Sequence, residues 1–144
     1  MKSKFTVTFP SFLFQLGVFL IALTVLVAIL QIIFNSDVPY THIGVFLIVG
    51  MGVVLGLPVI MMAKIFKITV NSKKITVRTT LGFKYSFDVS EVISVERRVS
   101  SRNLSMERMF IKTSKGKCLK LDNFMVGYEK MLEYLSNNGK SPNI

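Results

Sequence analysis

The stretch FLFQLGVFLIALTVLVAILQIIF, residues Phe12–Phe34, is followed after a short connection by a second apolar run, IGVFLIVGMGVVLGLPVIMMA, residues Ile43–Ala63. Neither run contains Asp, Glu, Lys, Arg or His. As α-helices they would extend roughly 34 Å and 31 Å, enough to cross a hydrocarbon core of about 30 Å. The sequence therefore predicts a hairpin of two transmembrane helices at the front of the chain.

A cleaved signal sequence is the competing interpretation of the first run, because Lys2 and Lys4 give the chain a basic start. A signal sequence has an apolar region of about 7–15 residues that ends at a small-residue cleavage site. The run Phe12–Phe34 is longer and leads into Asn35 without an Ala-x-Ala pattern. The pattern therefore favours a retained membrane helix.

The charges that flank the two runs predict their orientation. Lys2 and Lys4 precede the first run, four lysines follow the second within residues 64–74, and the connection Asn35–His42 has no Lys or Arg. Short flanks rich in Lys and Arg stay in the cytoplasm. We therefore expect a multi-pass protein of the cell membrane with both termini cytoplasmic.

The predicted segments are a juxtamembrane stretch 1–11, helices 12–34 and 43–63, an external loop 35–42, a cytoplasmic domain 64–139 and a flexible tail 140–144.

The charge of the chain is strongly positive. Its 144 residues carry a net charge of +10, and most of this excess follows residue 63. A basic domain held against a membrane has anionic lipid headgroups as an obvious partner. Cys118 is the single cysteine, which excludes an internal disulfide and suits a reducing cytoplasm.

Gly52 and Gly56 form a Gly-x-x-x-Gly pair in the second run. Small residues at this spacing let two helix backbones approach closely. Two interpretations stay open. The pair packs against the first helix within the hairpin, which we favour, or it mediates homodimerisation or docking on another membrane protein.

The period of the sequence changes to two after residue 65, which is typical of β-strands. Apolar residues alternate with polar ones through the segments 66–70, 75–80, 83–89, 92–99, 108–113 and 118–122. An amphipathic helix follows, in which Tyr128, Met131, Leu132 and Leu135 share one face and Gly139 suits the C-terminal stop. We expect a small α+β domain in which a bent antiparallel sheet, or partial barrel, is closed by one helix.

The segment Phe5–Phe9 also alternates apolar and polar residues, immediately before Pro10. Such a segment lies either in the membrane interface or at the edge of the domain as an additional strand. We favour the interface.

Residues 64–139 resemble the bacterial pleckstrin-homology-like (PH-like) domains. The resemblance rests on strand and turn segments and on the last helix: FKITV at 66–70, KITVR at 74–78, LGFKY at 81–85, DVSEVISV at 88–95 and MLEYL at 131–135. Many such proteins are similar to this one in joining one or two membrane helices to the domain. The resemblance implies a split barrel of six to seven antiparallel strands capped by a C-terminal helix. It also implies a binding or scaffolding module.

The resemblance suggests where an anionic ligand would bind, because phosphoinositide-binding members of the wider superfamily carry basic residues around the first hairpin. The candidate anionic-lipid contacts there are Lys64, Lys67, Lys73, Lys74 and Arg78. Lys64 directly follows the second apolar run, which tethers this hairpin near the bilayer. A solvated basic turn is the alternative interpretation.

Arginines are also concentrated around the polar loop Ser100–Glu107. The planar guanidinium group suits the capture of carboxylate or phosphate, so an acidic peptide or partner surface is a candidate ligand. The candidate partner-binding residues are Arg97, Arg98, Arg102, Leu104, Met106 and Arg108. The alternative is a polar loop whose arginines pair with Glu96 and Glu107.

The patterns of common catalytic and metal sites are missing from the sequence. It has no Gly-rich phosphate loop, no Cys/His cluster and no Gly-x-Ser-x-Gly elbow. The only histidine, His42, belongs to the predicted external loop. We therefore expect no enzymatic activity, no cofactor and no metal site.

Nucleic acid is a partner that basic proteins often bind. Phe83, Tyr85 and Phe87 share the predicted inner face of one strand, so we expect them in the core rather than in a surface that stacks bases. Nucleic acid is therefore not an expected partner.

Together these patterns predict a membrane-anchored, non-enzymatic binding or scaffolding module whose domain contacts a protein partner or anionic lipid headgroups. Homo-oligomerisation stays open. Two alternatives come from other classes: an immunity or self-protection protein that shields a membrane target, and an accessory subunit of a membrane transport complex.

Overall fold

The computed structural model of the chain describes residues 4–35, 38–39, 41–99 and 106–141. Several residues used above therefore lie outside the described part: Lys2, Arg102, Leu104 and residues 142–144. The chain divides into two compact units. One is Ser11–Lys64, which we call the helical hairpin. The other joins Met1–Pro10 to Ile65–Ile144, and we call it the β-domain.

The helical hairpin consists of two long helices, α1 (Ser11–Phe34) and α2 (Thr41–Ile65). Their bounds lie within two residues of the predicted runs, and both helices are long and apolar enough to cross a membrane. Only 11% of each apolar window is buried inside the structure. Core helices of water-soluble proteins are covered far more completely, so the apolar surface of this hairpin lacks the cover that a core helix has.

The described residues of the β-domain form seven strands and one α-helix. The elements are β1 (Lys4–Thr8), β2 (Lys67–Asn71), β3 (Lys74–Arg78), β4 (Lys84–Asp88), β5 (Val92–Val99), β6 (Glu107–Thr113), β7 (Cys118–Asp122) and α3 (Tyr128–Asn137). A four-stranded antiparallel sheet, sheet A, has the order β1-β2-β3-β4, and a three-stranded antiparallel sheet, sheet B, has the order β5-β6-β7. Among the described residues no strand ladder joins the two sheets, so they do not form a closed barrel. The predicted α+β architecture with a C-terminal helix is confirmed.

The position of β1 corrects the expectation that Phe5–Phe9 lies in the membrane interface. Lys4–Thr8 instead pairs with β2 along its whole length, and Thr8 lies opposite Lys67. Val7 is fully buried in the core. Pairing with β1 satisfies the backbone groups that β2 would otherwise expose at a sheet edge. The helical hairpin is therefore inserted between the first two strands of one sheet.

The buried side chains of both sheets and α3 form one apolar cluster. Met131 and Leu135 of α3 are fully buried in it, and the Tyr134 hydroxyl donates a 2.7 Å hydrogen bond to the Ser72 carbonyl oxygen. Gly139 ends the helix as predicted, with a positive φ of 72°. The helix thus closes the core over the turn between β2 and β3.

A close backbone approach ties β1 to the segment that precedes α3. Thr8 and Val126 exchange two backbone hydrogen bonds of 2.9 and 3.1 Å. Gly127, with φ of 91°, lies so near β1 that an added Cβ would be 2.5 Å from the Thr6 carbonyl oxygen. Only glycine combines this φ with this proximity at no steric cost. The N-terminal strand is thereby held at both sheet A and the start of α3.

Phe83 is not in the core, contrary to the prediction from its spacing with Tyr85 and Phe87. It lies one residue before β4 and is 70% exposed, whereas Phe87 is buried and Tyr85 is half-buried. Phe83 lies in the β3–β4 turn, where its carbonyl oxygen accepts a 2.9 Å hydrogen bond from the Thr79 N–H. The alternating pattern extends one residue beyond β4, and the prediction that Phe83 lies in the core was wrong for that reason.

Candidate functional site

The outer face of sheet A carries a row of three cations. Strand alternation buries Ile68 and Val77, so their neighbours Lys67 and Arg78 point to the opposite face. The register places Lys67 of β2 opposite Arg78 of β3, and Arg78 opposite Lys84 of β4. Adjacent strands lie about 4.8 Å apart, so the three α-carbons fall within about 10 Å. We call Lys67, Arg78 and Lys84 the cationic row.

Hydroxyl groups form the next row of the same face. Thr69, Thr76 and Ser86 are aligned on β2, β3 and β4, two residues along each strand from the cationic row. A shallow groove of about 420 Å³ runs over both rows and is lined by Lys67, Thr69, Asn71, Lys74, Thr76, Arg78 and Lys84. Cations beside hydroxyl donors are the groups that bind phosphate oxygens. The arrangement is therefore chemically suited to an anionic ligand.

No carboxylate in the described part of the chain forms an ion pair with the cationic row. The ion pairs there join residues of β5–β7, the 3₁₀ turn Val89–Glu91 and the β6–β7 turn. The acidic residue of the same sheet face, Asp88, is aligned with Lys74 at the other end of β4, about 13 Å from Lys84 along the strand. The positive charge of the row is therefore not neutralised by the protein.

Three of the five predicted lipid contacts line one groove of the β-domain. Lys67, Lys74 and Arg78 share the groove, whereas Lys73 lies in the β2–β3 turn. Lys64 belongs to the helical hairpin, where its Nζ lies 4.3 Å from the centroid of the Phe14 ring.

Lys84 completes the cationic row and was not among the predicted contacts. Its alternation with Tyr85 indicates its face, but its alignment with Arg78 depends on the length of the β3–β4 turn. If the length of the β3–β4 turn had been known, the alternating pattern of both strands would have predicted that Lys84 lies beside Arg78.

Arg97 lies in a partly buried network that joins sheet B to α3. Its guanidinium donates two hydrogen bonds to the Glu107 carboxylate, through Nε to Oε1 and through Nη2 to Oε2 at 2.6 Å. The Tyr128 hydroxyl donates a 2.7 Å bond to Glu107 Oε1. These bonds, from Arg97 above all, lower the pKa of Glu107, while burial and then the bond to Glu107 raise the pKa of Tyr128. The network is a structural tie between β5, β6 and α3.

Other predicted partner-binding residues line a groove of about 470 Å³ that crosses the three strands of sheet B. Arg98, Met106 and Arg108 contribute to it, with Phe110 and Phe124. Both arginines are paired: Arg98 Nη2 donates to Glu96 at 2.7 Å, and Arg108 Nε donates to Asp122 at 2.5 Å. Arg102 and Leu104 lie outside the described residues. The charge at this groove is therefore largely compensated within the sheet.

Gly52 and Gly56 face α1 within the hairpin. An added Cβ at Gly56 would lie 2.8 Å from the Gly17 carbonyl oxygen, and one at Gly52 would overlap the Thr24 hydroxyl. Gly17 in turn lies equally close to Gly56, because a Cβ there would be 2.9 Å from the Gly56 carbonyl oxygen. The pair therefore lies at a close approach of α1 and α2, the arrangement that corresponds to the first of the two interpretations.

Among residues 4–35, 38–39, 41–99 and 106–141, no group of three His, Cys, Asp or Glu side chains is placed to hold a metal ion. Comparison with known proteins gave no match to any family model, curated protein or solved structure. The candidate function of this chain therefore depends on the chemistry of its own surfaces.

Proposed function

We propose that this protein is a membrane-anchored, non-enzymatic binding module whose β-domain contacts anionic lipid headgroups through the cationic row. The observation that carries this proposal is the alignment of Lys67, Arg78 and Lys84 on three adjacent strands without a paired carboxylate. Three like charges at this spacing repel one another in the free domain. A phosphate group bound between them removes that repulsion and adds charge-assisted hydrogen bonds.

Membrane anchoring supports the choice of lipid as the ligand. In this proposal α1 and α2 cross the bilayer and both termini are cytoplasmic, as the flanking lysines favour. Lys67 follows the last residue of α2 by only two positions, so its α-carbon lies within about 7 Å of the helix end. A helix that crosses the membrane therefore delivers the cationic row to the depth of the headgroups.

The free energy needed for such a contact is modest. A Lys or Arg near an anionic leaflet contributes about 1 kcal/mol, so the row supplies about 3 kcal/mol at most. A free domain would bind weakly with that energy, but covalent tethering raises the effective lipid concentration at the domain. The cationic row is therefore sufficient to set the orientation of a domain that is already held at the membrane.

The PH-like nature of the β-domain is part of the same proposal. Its support is the arrangement of four and three antiparallel strands with a C-terminal helix over the shared core. The first strand precedes the helical hairpin, so the domain includes Lys4–Thr8 in addition to residues 64–139. Lipid is favoured over an acidic protein partner because the arginines of sheet B are paired with Glu96, Glu107 and Asp122.

The experiment is lysine footprinting of the full-length protein in nanodiscs. Acetylation rates of individual lysines are measured by mass spectrometry in discs of phosphatidylcholine alone and in discs that also contain phosphatidylglycerol. We expect Lys67 and Lys84 to react about fivefold more slowly in the anionic discs, which corresponds to about 1 kcal/mol per residue. High salt should restore their rates because it screens the headgroup charge.

Exposed lysines elsewhere in the β-domain provide the internal control. Lys120 on β7 and Lys130 on α3 are exposed and do not belong to sheet A. Their acetylation rates should be nearly the same in both kinds of disc. Equal rates for Lys67, Lys84 and these controls under all conditions would contradict the proposal.

A further inference from the structure

The turn between β3 and β4 projects from the same end of sheet A as the connections to α1 and α2. Arg78 and Lys84 are the strand residues that flank the turn, and the register aligns them with Lys67 and Thr8. Thr8 precedes the first residue of α1 by three positions, and Lys67 follows the last residue of α2 by two. The turn and the two connections therefore extend beyond the same end of the strands of sheet A.

The tip of this turn carries the two most exposed large apolar side chains described in the β-domain. Leu81 is 74% exposed and Phe83 is 70% exposed. Solvated turns usually consist of polar residues, glycine and proline. An exposed Leu and Phe in such a turn are unfavourable in water and indicate a contact with an apolar phase.

Backbone hydrogen bonds close the turn. Thr79 N–H donates to the Phe83 carbonyl oxygen at 2.9 Å, and Gly82 N–H donates to the Thr79 carbonyl oxygen at 2.9 Å. Gly82 has a φ of 85°, which a residue with a side chain rarely adopts. Leu81 and Phe83 are thus presented at the end of a closed hairpin, with Arg78 and Lys84 directly behind them.

Aromatic rings accumulate at this end of the domain. The rings of Phe9 and Phe66, which belong to the two connections, lie 5.0 Å apart, and Phe124 lies 6.0 Å from Phe9. Aromatic residues next to cations are typical of the boundary between hydrocarbon and headgroups. Phe9 and Phe66 pack against the apolar core, and Phe124 is 43% exposed beside them.

We propose that the β3–β4 turn inserts Leu81 and Phe83 into the interfacial region of the bilayer that holds the helical hairpin. The insertion rests on the membrane anchoring proposed above and adds an apolar contact to the cationic row. Phe83 and Leu81 enter the acyl boundary, while Arg78 and Lys84 stay at the level of the phosphates. The turn is then a third attachment of the β-domain to the membrane, beside its two covalent connections.

The chain offers a direct reporter because it contains no tryptophan. The variant Phe83→Trp places the only indole at the tip, and Leu81→Trp provides a second reporter there. Ile93→Trp is the matched control, since Ile93 is 68% exposed and lies near the start of β5 in sheet B, which follows the end of β4 opposite the turn. Each full-length variant is reconstituted in nanodiscs whose lipids carry bromine near the headgroup end of the acyl chain.

We expect blue-shifted emission and strong bromine quenching for Phe83→Trp and Leu81→Trp, with red emission and little quenching for Ile93→Trp. Emission of both tip variants that matches the control would overturn the insertion. Blue-shifted emission without bromine quenching would also overturn it, because the turn would then be buried in a protein contact such as a second copy.

The two proposals fail separately. Protected Lys67 and Lys84 with an unquenched tip would support the anionic contact and overturn the insertion. A quenched tip in phosphatidylcholine discs, with both lysines unprotected in anionic discs, would support the insertion and overturn the anionic contact.

Discussion

At the scale of single residues, Glu107 shows how a charge is retained on a half-buried strand. Its side chain is only 19% exposed, and it is satisfied by Arg97 from the neighbouring strand and by Tyr128 from α3. Hydrogen bonds to charged groups contribute about 1.5–3 kcal/mol each when they are shielded from water. Glu107 therefore couples the strand pairing of sheet B to the docking of α3.

The lowered pKa of Glu107 predicts a specific loss of stability in acid. Folding favours the ionised carboxylate of Glu107. Its contribution to the free energy of unfolding is therefore present above the ordinary pKa of 4.5 and is lost as the pH falls through the lowered pKa. We expect Glu107→Gln to lower the free energy of unfolding by about 1–3 kcal/mol at neutral pH and to flatten its decline below pH 4.5. Pulse proteolysis of the detergent-solubilised full chain in urea, at several pH values, measures both effects. Glu129→Gln, at an exposed position of α3, should retain the stability and acid response of the unmodified protein.

At the scale of elements, glycines allow the two helices of the hairpin to approach each other closely. Gly17 of α1 and Gly56 of α2 place their backbones against each other, so that side chains as small as a methyl group do not fit. Close backbone approach of this kind stabilises helix pairs in membranes through dispersion contacts. Gly50 of α2 lacks any such neighbour, because a Cβ added there meets nothing within 4 Å.

This difference predicts opposite effects for the same substitution at two positions of one helix. Gly56→Ala forces the helices apart and should destabilise the hairpin by about 1–3 kcal/mol, the range seen for overpacking. Gly50→Ala should be neutral or slightly stabilising, because alanine has the higher helix propensity by about 1 kcal/mol. The measurement is energy transfer between dyes on exposed positions of α1 and α2 during titration with SDS. Equal midpoints for the two variants would show that the Gly56 contact does not hold the helices together.

Strands and helices of this chain were predictable wherever the signal was local. The bounds of β5 and β7 agree with the predicted segments, because alternation, turn residues and strand length coincide there. Non-local features were not predictable from the same pattern. Phe5–Phe9 alternates equally well in an interface or in a strand, and its true partner, β2, comes after the whole helical hairpin.

In the candidate site, too, local features were predictable from the sequence and non-local ones were not. The resemblance placed Lys67, Lys74 and Arg78 among the candidate contacts, but the lateral neighbours of Arg78 depend on the register between strands, which the spacing within each strand does not contain. The pairing of Arg97 with Glu107 depends on register in the same way, and spacing alone left it as one of two alternatives.

At the scale of the whole molecule, the insertion of the hairpin between β1 and β2 constrains the topology. Thr8 and Lys67 are paired in one sheet, so the chain enters α1 and returns from α2 at the same end of the paired strands. Two helices that both cross a bilayer satisfy this requirement, whereas a single crossing would separate β1 from β2 by the membrane. The folded β-domain and a two-span topology therefore support each other.

The single cysteine allows this topology to be tested with little change to the protein. With both termini cytoplasmic, as proposed above, a membrane-impermeant maleimide should label the exposed Cys118 of β7 only after the cells are permeabilised. In a Cys118→Ser background, Lys4→Cys should behave like Cys118, because β1 and β7 belong to one domain. Val38→Cys, in the connection between α1 and α2, should instead be labelled in intact cells. Labelling of Lys4→Cys and Cys118 from opposite faces would contradict the pairing of β1 with β2, since strands on two sides of a membrane do not share a sheet.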